Sequence, residues 1–176
     1  MRPSAPRHRN VSAAHLRAAA TIRATPKGMD GETRSALDEA LEDAYRLRAN
    51  HRAVLQHFGS IAPFVNLAVA ESRHIEALSR VYRRHGLVTP PDPWSGLVPP
   101  PPTLEASYRR GLERERDREV MYERLLPSVT DPQVRAVMNL ICQASRDRHQ
   151  PAFQRFLQRR PPSRPRVRSG AYSTVS

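Results

Sequence analysis

Glu71 and His74 stand three residues apart in Ala-Glu-Ser-Arg-His-Ile-Glu-Ala-Leu (70–78). On an α-helix that spacing aims a carboxylate and an imidazole at the same point. The stretch reads as helical, with Phe64, Leu67, Glu71, His74, Leu78 and Val81 on one face. Two titratable groups therefore sit in a stripe that should be apolar. Burying an unpaired charge costs several kcal/mol or more, so the pair needs a partner. A Glu-x-x-His pair facing a bundle core is half of a two-metal carboxylate site.

A complete site of that kind takes a Glu from each of two helices and Glu-x-x-His from each of two others. The carboxylates bridge and neutralise the metals, and the imidazoles add nitrogen donors. Glu115 and His149 are the other candidate ligands, which makes the metal set Glu71, His74, Glu115 and His149. The remaining positions are wrong. Arg146 stands three residues before His149, where a Glu is needed, and Ala44 stands where the first helix should carry one. Glu42 and Asp43 are adjacent but are expected to rotate away from the seam, while Arg48 and His51 occupy it. An iron or manganese ion in a partial, single-metal site and an intact two-metal centre both stay open. So does a metal-free polar core, in which Arg48 would satisfy Glu71 through a bidentate ion pair.

Four helices are expected to position these groups. The first runs from about Thr33 to Phe58, capped by Thr33 or Ser35, with Leu37, Leu41, Ala44, Arg48, His51, Leu55 and Phe58 as its seam. Gly59-Ser60 breaks it, and a second helix runs from about Ala62 to His85, stopped by Gly86. So short a break predicts an antiparallel hairpin. Residues 86–103 contain seven prolines. They should be extended, reaching roughly 55 Å at ~3.1 Å per residue. That exceeds the roughly 36 Å of the second helix, so the connection can cross the whole bundle. Trp94, Leu97 and Val98 should pin it down.

The third helix, from about Leu104 to Leu126, has the seam Leu104, Tyr108, Gly111, Glu115, Arg118, Tyr122 and Leu125. Thr130-Asp131-Pro132 starts the fourth, which runs to about Leu157 with Met138, Cys142, Ser145, His149, Ala152 and Phe156 inward. Pro151 should kink it or mark an irregularity. Folding helix four back about residue 129 sets Glu115 opposite Gln143, about six residues or roughly 9 Å short of His149.

The stretches 70–78, 82–94 (Tyr-Arg-Arg-His-Gly-Leu-Val-Thr-Pro-Pro-Asp-Pro-Trp) and 143–153 (Gln-Ala-Ser-Arg-Asp-Arg-His-Gln-Pro-Ala-Phe) carry a resemblance. Over residues 36 to 157 the chain resembles a bacterial ferritin-like family, a rubrerythrin-related domain of unknown function. The resemblance implies an all-α, ferritin-like four-helix bundle and an iron or similar metal site at Glu71, His74, Glu115 and His149. It implies no defined reaction, and Ala44 and Arg146 depart from the ferritin-like ligand pattern.

Charge and composition bound the remaining roles. The chain carries a formal net charge of +12, yet residues 1–30 hold six basic residues against one acid and residues 158–176 hold five arginines and no acid. The bundle, 31–157, should be nearly neutral between two disordered basic tails. Nonspecific nucleic acid or another acidic partner could be held by those tails. A metal-free interaction module working that way is the alternative to a metal protein, and a homodimer stays open. One cysteine excludes an intrachain disulfide and a cysteine zinc site. Cys142 should be a small buried hydrophobe, and Tyr45, Tyr82, Tyr108 and Tyr122 should be core or core-edge aromatics. No apolar run approaches a membrane span, no apolar stretch follows the basic N-terminus as in a secretion signal, and the cytoplasm is the default. The sequence has no phosphate loop, nucleophile elbow or zinc-finger spacing.

Overall fold

The computed structural model describes residues 28–158. The two basic tails lie almost entirely outside the described residues. Those residues form α1 (Gly31–Phe58), α2 (Phe64–Arg84), α3 (Leu104–Leu125), α4 (Pro132–Ala144) and α5 (Gln150–Gln158). A π-helical stretch, Ser145–His149, joins α4 to α5 into one continuous rod. The fold is all-helical, four rods with no strand among the described residues.

Local chemistry sets the ends. Asp30, rather than Thr33 or Ser35, caps α1 by accepting from the Thr33 amide. Thr33 is instead buried against the turn before α4, where its Oγ1 accepts from the Thr130 amide. Gly86, at φ 67°, ends α2, and the Leu87 amide reaches back 2.9 Å to the Tyr82 carbonyl. That is the Schellman closure, which needs a left-handed residue where glycine has no steric cost. Asp131 takes both the Gln133 and Val134 amides at the start of α4, ahead of Pro132.

Side-chain partners give the helix directions. Tyr82, late in α2, donates to Asp38, early in α1. Arg124, late in α3, pairs with Glu39, and Arg118 pairs with Asp43. Gln150 meets Glu119, and Ser145 meets Glu115. Thus α1 runs antiparallel to both α2 and α3, and α3 runs antiparallel to the α4–α5 rod.

Between α2 and α3 the chain lies against α1. The Tyr45 hydroxyl donates to the Pro90 carbonyl, Arg48 pairs with Asp92 at 2.8 Å, and Arg46 sits over the Trp94 ring. Trp94 packs on the core as expected, but Leu97 is 73% exposed and pins nothing. Gly96, at φ 76°, turns the chain there and points Leu97 outward.

Two apolar clusters hold the rods. One gathers Leu37, Leu41, Leu78, Tyr82, Tyr122 and Met138. The other gathers Val54, Phe64, Leu67, Leu112 and Phe153. Tyr45, Tyr82, Tyr122 and Cys142 are buried, as expected, and Tyr108 is half-buried and stacks on Phe64 and Phe156. Phe153, rather than Ala152 or Phe156, fills the inner face of α5. Pro151 has no amide to give and a π turn absorbs one extra residue, so the inward face shifts by about one position. Gly111 lies directly under the Phe153 ring, and any Cβ there would run into it. Gly111→Ala should therefore lower the unfolding free energy by about 1–3 kcal/mol in a urea titration, as overpacked cores do. An unchanged midpoint would show that Phe153 swings aside freely.

Candidate metal centre

A polar layer separates the two apolar clusters. Asp43 and His51 come from α1, Glu71 and His74 from α2, Glu115 and Arg118 from α3, and Ser145 and His149 from the π-helical stretch. Except for His74, all are buried. His74 lies at the edge, with 14% of its side chain exposed.

Arg118 occupies the middle. Its Nη1 and Nη2 donate to the two Glu71 carboxylate oxygens at 2.7 and 2.8 Å, and its Nε donates to Asp43 Oδ2 at 2.7 Å. Glu115 Oε2 lies 3.8 Å from Nη1. All five donors of a guanidinium are fixed in a planar fork, and this fork is matched on two sides by carboxylates. Arg48, expected to meet Glu71 from its level along the helices, pairs with Asp92 instead. Asp43 also departs from expectation. It faces inward, 4% exposed, because α1 packs against both α2 and α3 and so buries a face wider than one seam. A second stripe, Ala36, Ala40, Asp43, Leu47 and Val54, marks that wider face in the sequence.

The two histidines of the expected set each address one carboxylate. His74 Nδ1 lies 3.4 Å from Glu71 Oε2, and His149 Nδ1 lies 3.2 Å from Glu115 Oε1. Their rings are 5.7 Å apart. Ser145 Oγ donates to Glu115 Oε2 at 2.7 Å. The π-helical stretch places Ser145 and His149 together on Glu115, which removes the apparent mismatch in level. The turn between the two rods centres near Asp131, later than residue 129, because a 3-10 segment, Leu126–Ser128, extends α3. Arg146 is exposed, pairs with Glu119 at 3.2 Å and donates to Cys142 Sγ at 3.8 Å, so it supplies no carboxylate-like ligand to the polar layer.

Burial and charge compete at each group. Burial alone would raise the Glu71 carboxyl, but the Arg118 guanidinium and the His74 contact reverse this and hold it well below the usual carboxylate range. Glu115 shifts in the same direction, with burial again opposed by Arg118 and His149. Burial disfavours charge on Arg118 too, yet Glu71, Asp43 and Glu115 keep its pKa well above the ordinary value. His51 behaves otherwise: burial lowers its pKa to about 4, against a partial opposing pull from Glu71 and Glu115.

His51 is also where a ligand fits. One ligand atom each from His51, Glu71 and Glu115 lie within 4.8 Å of one another, a group that could hold a metal ion. His51 Nε2 is buried and has no hydrogen-bond partner among the described residues. A neutral buried imidazole grouped with two carboxylates is a fitting donor set for a borderline divalent cation. Three carboxylates face one buried guanidinium, with Arg46 on the rim at Asp43 (3.1 Å), so the layer has room for further positive charge. Of the expected ligands, Glu71 and Glu115 fall inside this group, and His74 and His149 flank it.

Among the described residues no helix is long and apolar enough to cross a membrane. No family model matches the chain, and no curated protein or solved structure does either, so the residues themselves carry the functional reading.

Proposed function

We propose that the chain is a ferritin-like bundle whose core binds a single divalent metal, iron or manganese, with Arg118 taking the part of a second cation. The observation that carries this reading is the buried group His51, Glu71 and Glu115, whose ligand atoms lie within 4.8 Å of one another, with a His51 Nε2 that has no hydrogen-bond partner among the described residues. The helix directions support the ferritin-like topology. With α2 and α3 both antiparallel to α1, the chain between them must return along the bundle, and its contacts with Tyr45, Arg46 and Arg48 follow that path.

Bound there, iron or manganese would supply one-electron chemistry toward oxygen or peroxide. The protein's part is to fix the donors. Glu71 keeps lone pairs free while both of its oxygens accept from Arg118, because an ionised carboxylate offers about four acceptor positions. Arg118 thereby holds Glu71 in one orientation. Ser145 and His149 do the same for Glu115. Groups that orient metal-binding side chains in this way tune affinity as strongly as many ligands do.

Metal analysis after iron or manganese loading should find about one ion per chain, and His51→Ala or Glu115→Gln should lower occupancy at least about tenfold. Less than about 0.2 ion per loaded wild-type chain would sink the proposal.

The bidentate Arg118–Glu71 contact favours a second reading, a metal-free ionic core in a helical module whose arginine-rich tails bind nucleic acid or acidic partners. That reading expects no metal and a salt-sensitive DNA affinity lost with residues 1–30 and 158–176.

A further inference from the structure

The fold sets two Arg-His steps, Arg73-His74 and Arg148-His149, against one cleft. In each step the histidine turns toward a buried glutamate, and the preceding arginine, about 100° round the helix, stays at the rim. The cleft has a volume of about 310 Å³ and opens between the start of α2 and the rod carrying His149. Asn66 and Leu67 share its lining, and no carboxylate does.

Arg73 and Arg148 are both exposed, and neither has an ion-pair or hydrogen-bond partner among the described residues. Ten of the eighteen arginines in 31–157 behave differently and pair with a carboxylate, Arg34, Arg46, Arg48, Arg109, Arg124 and Arg146 among them. Exposed arginines away from this cleft, such as Arg52 and Arg84, do not. Two unmatched guanidiniums beside one concave, acid-free surface focus positive potential into it. A guanidinium fork matches phosphate or carboxylate oxygens, and a recess of this size holds a small molecule rather than a chain.

We propose that this cleft binds a small oxyanion, a phosphate or a carboxylate, through Arg73 and Arg148, with the Asn66 amide as a neutral donor. The site stands whether or not the core holds a metal, because the arginines lie outside the His74–His149 pair.

Inorganic phosphate and, separately, butyrate are to be titrated into the chelator-treated full chain at low salt, following backbone amide shifts by NMR. Saturable binding of either, with shifts concentrated at residues 66–74 and 148–152, is the expected result, and the tighter of the two identifies the head group. The double variant Arg73→Ala, Arg148→Ala should weaken it at least about tenfold, as loss of charge-assisted hydrogen bonds does. Arg52→Ala with Arg84→Ala removes two exposed arginines elsewhere and should change it less than about twofold. If the first double variant does not fold, the single exposed change Arg148→Gln should still cost about fivefold. Saturation by neither anion, or equal weakening in both double variants, overturns the proposal, since diffuse charge on the tails would then explain any shift. Metal analysis of the same samples separates this site from the core. Anion binding that appears only after metal loading overturns the arginine cleft, and binding by the metal-free chain supports it whatever becomes of the metal reading.

Discussion

Replacing Arg118 with methionine should lower the unfolding free energy by about 3–5 kcal/mol, the largest loss expected from any single exchange of a polar residue in this chain. The reason is asymmetry. Arg118 and its partners Glu71 and Glu115 are fully buried, and Asp43 nearly so. Removing the guanidinium leaves three carboxylates facing one another in a dry layer with no replacement for its 2.7 and 2.8 Å hydrogen bonds. Arg118→Lys should recover only part of the loss, because one ammonium cannot meet both Glu71 oxygens and Asp43 in a plane. Urea unfolding of the two variants measures this directly. A cost within about 1 kcal/mol for Arg118→Met would mean that the carboxylates take up protons easily and that the ion pair is incidental.

The same variant bears on the cation that the layer accepts. With the guanidinium gone, Asp43, Glu71 and Glu115 become a denser set of oxygen donors beside His51, His74 and His149. Arg118→Met should therefore bind about two divalent ions per chain where the wild type binds about one, and should regain stability when metal is added. No gain in either stoichiometry or stability would show that the arginine is not acting in place of a metal.

Stability of the chelator-treated chain should fall as pH drops from about 6.5 to about 4, and His51 should account for about 3 kcal/mol of that fall. Burial depresses the folded-state pKa of His51 to about 4 from the ordinary value of 6.5. Between those values the unfolded chain binds a proton at this residue and the folded chain does not. The contribution is complete above the unfolded pKa and is lost progressively as pH falls toward the folded one. Below that the loss is constant. Glu71 and Glu115 act in a lower window. Their folded pKa values are depressed, so their contribution is complete above the ordinary carboxylate range and disappears only as pH falls beneath it. Because other histidines titrate too, the measurement is the difference between wild type and His51→Leu, in unfolding free energy against pH. Between pH 7 and pH 4 the wild type should lose about 3 kcal/mol relative to His51→Leu. Parallel curves would remove His51 as the origin.

Much of the fold was legible because its signals are local. Asp131-Pro132 starts a helix through its own side chain and its missing amide, Gly86 stops one through its φ, and seven prolines between 86 and 103 forbid one. The seam of α3 through Glu115, Arg118 and Tyr122 follows from helical periodicity, and all three are buried. Where the pattern was not local it misled. Asp43 looks surface-facing when α1 is given one seam, and it turns inward because α1 covers two neighbours. Leu97 looks like an anchor and is turned out by the bend at Gly96. Residue counting across a turn put His149 out of reach of Glu115, whereas the later turn centre and the π-helical stretch bring them to 3.2 Å.

The sequence by itself determined that helical rods would carry carboxylates, imidazoles and arginines in their apolar seams. Periodicity and helix-breaking residues are properties of each segment alone. Only the tertiary structure decided which cation meets Glu71. Arg48 and Arg118 both lie in apolar seams, and either side chain is long enough to reach a neighbouring helix. The choice depends on the sliding register of α3 against α1 and α2. A long proline-rich connection leaves that register free, and packing between the two apolar clusters fixes it. In the fold Arg48 turns out to Asp92 of the connection, and Arg118 turns in to Glu71 and Asp43. Packing also buries His51 with Glu71 and Glu115, its Nε2 without a hydrogen-bond partner among the described residues, and the metal proposal rests on that group.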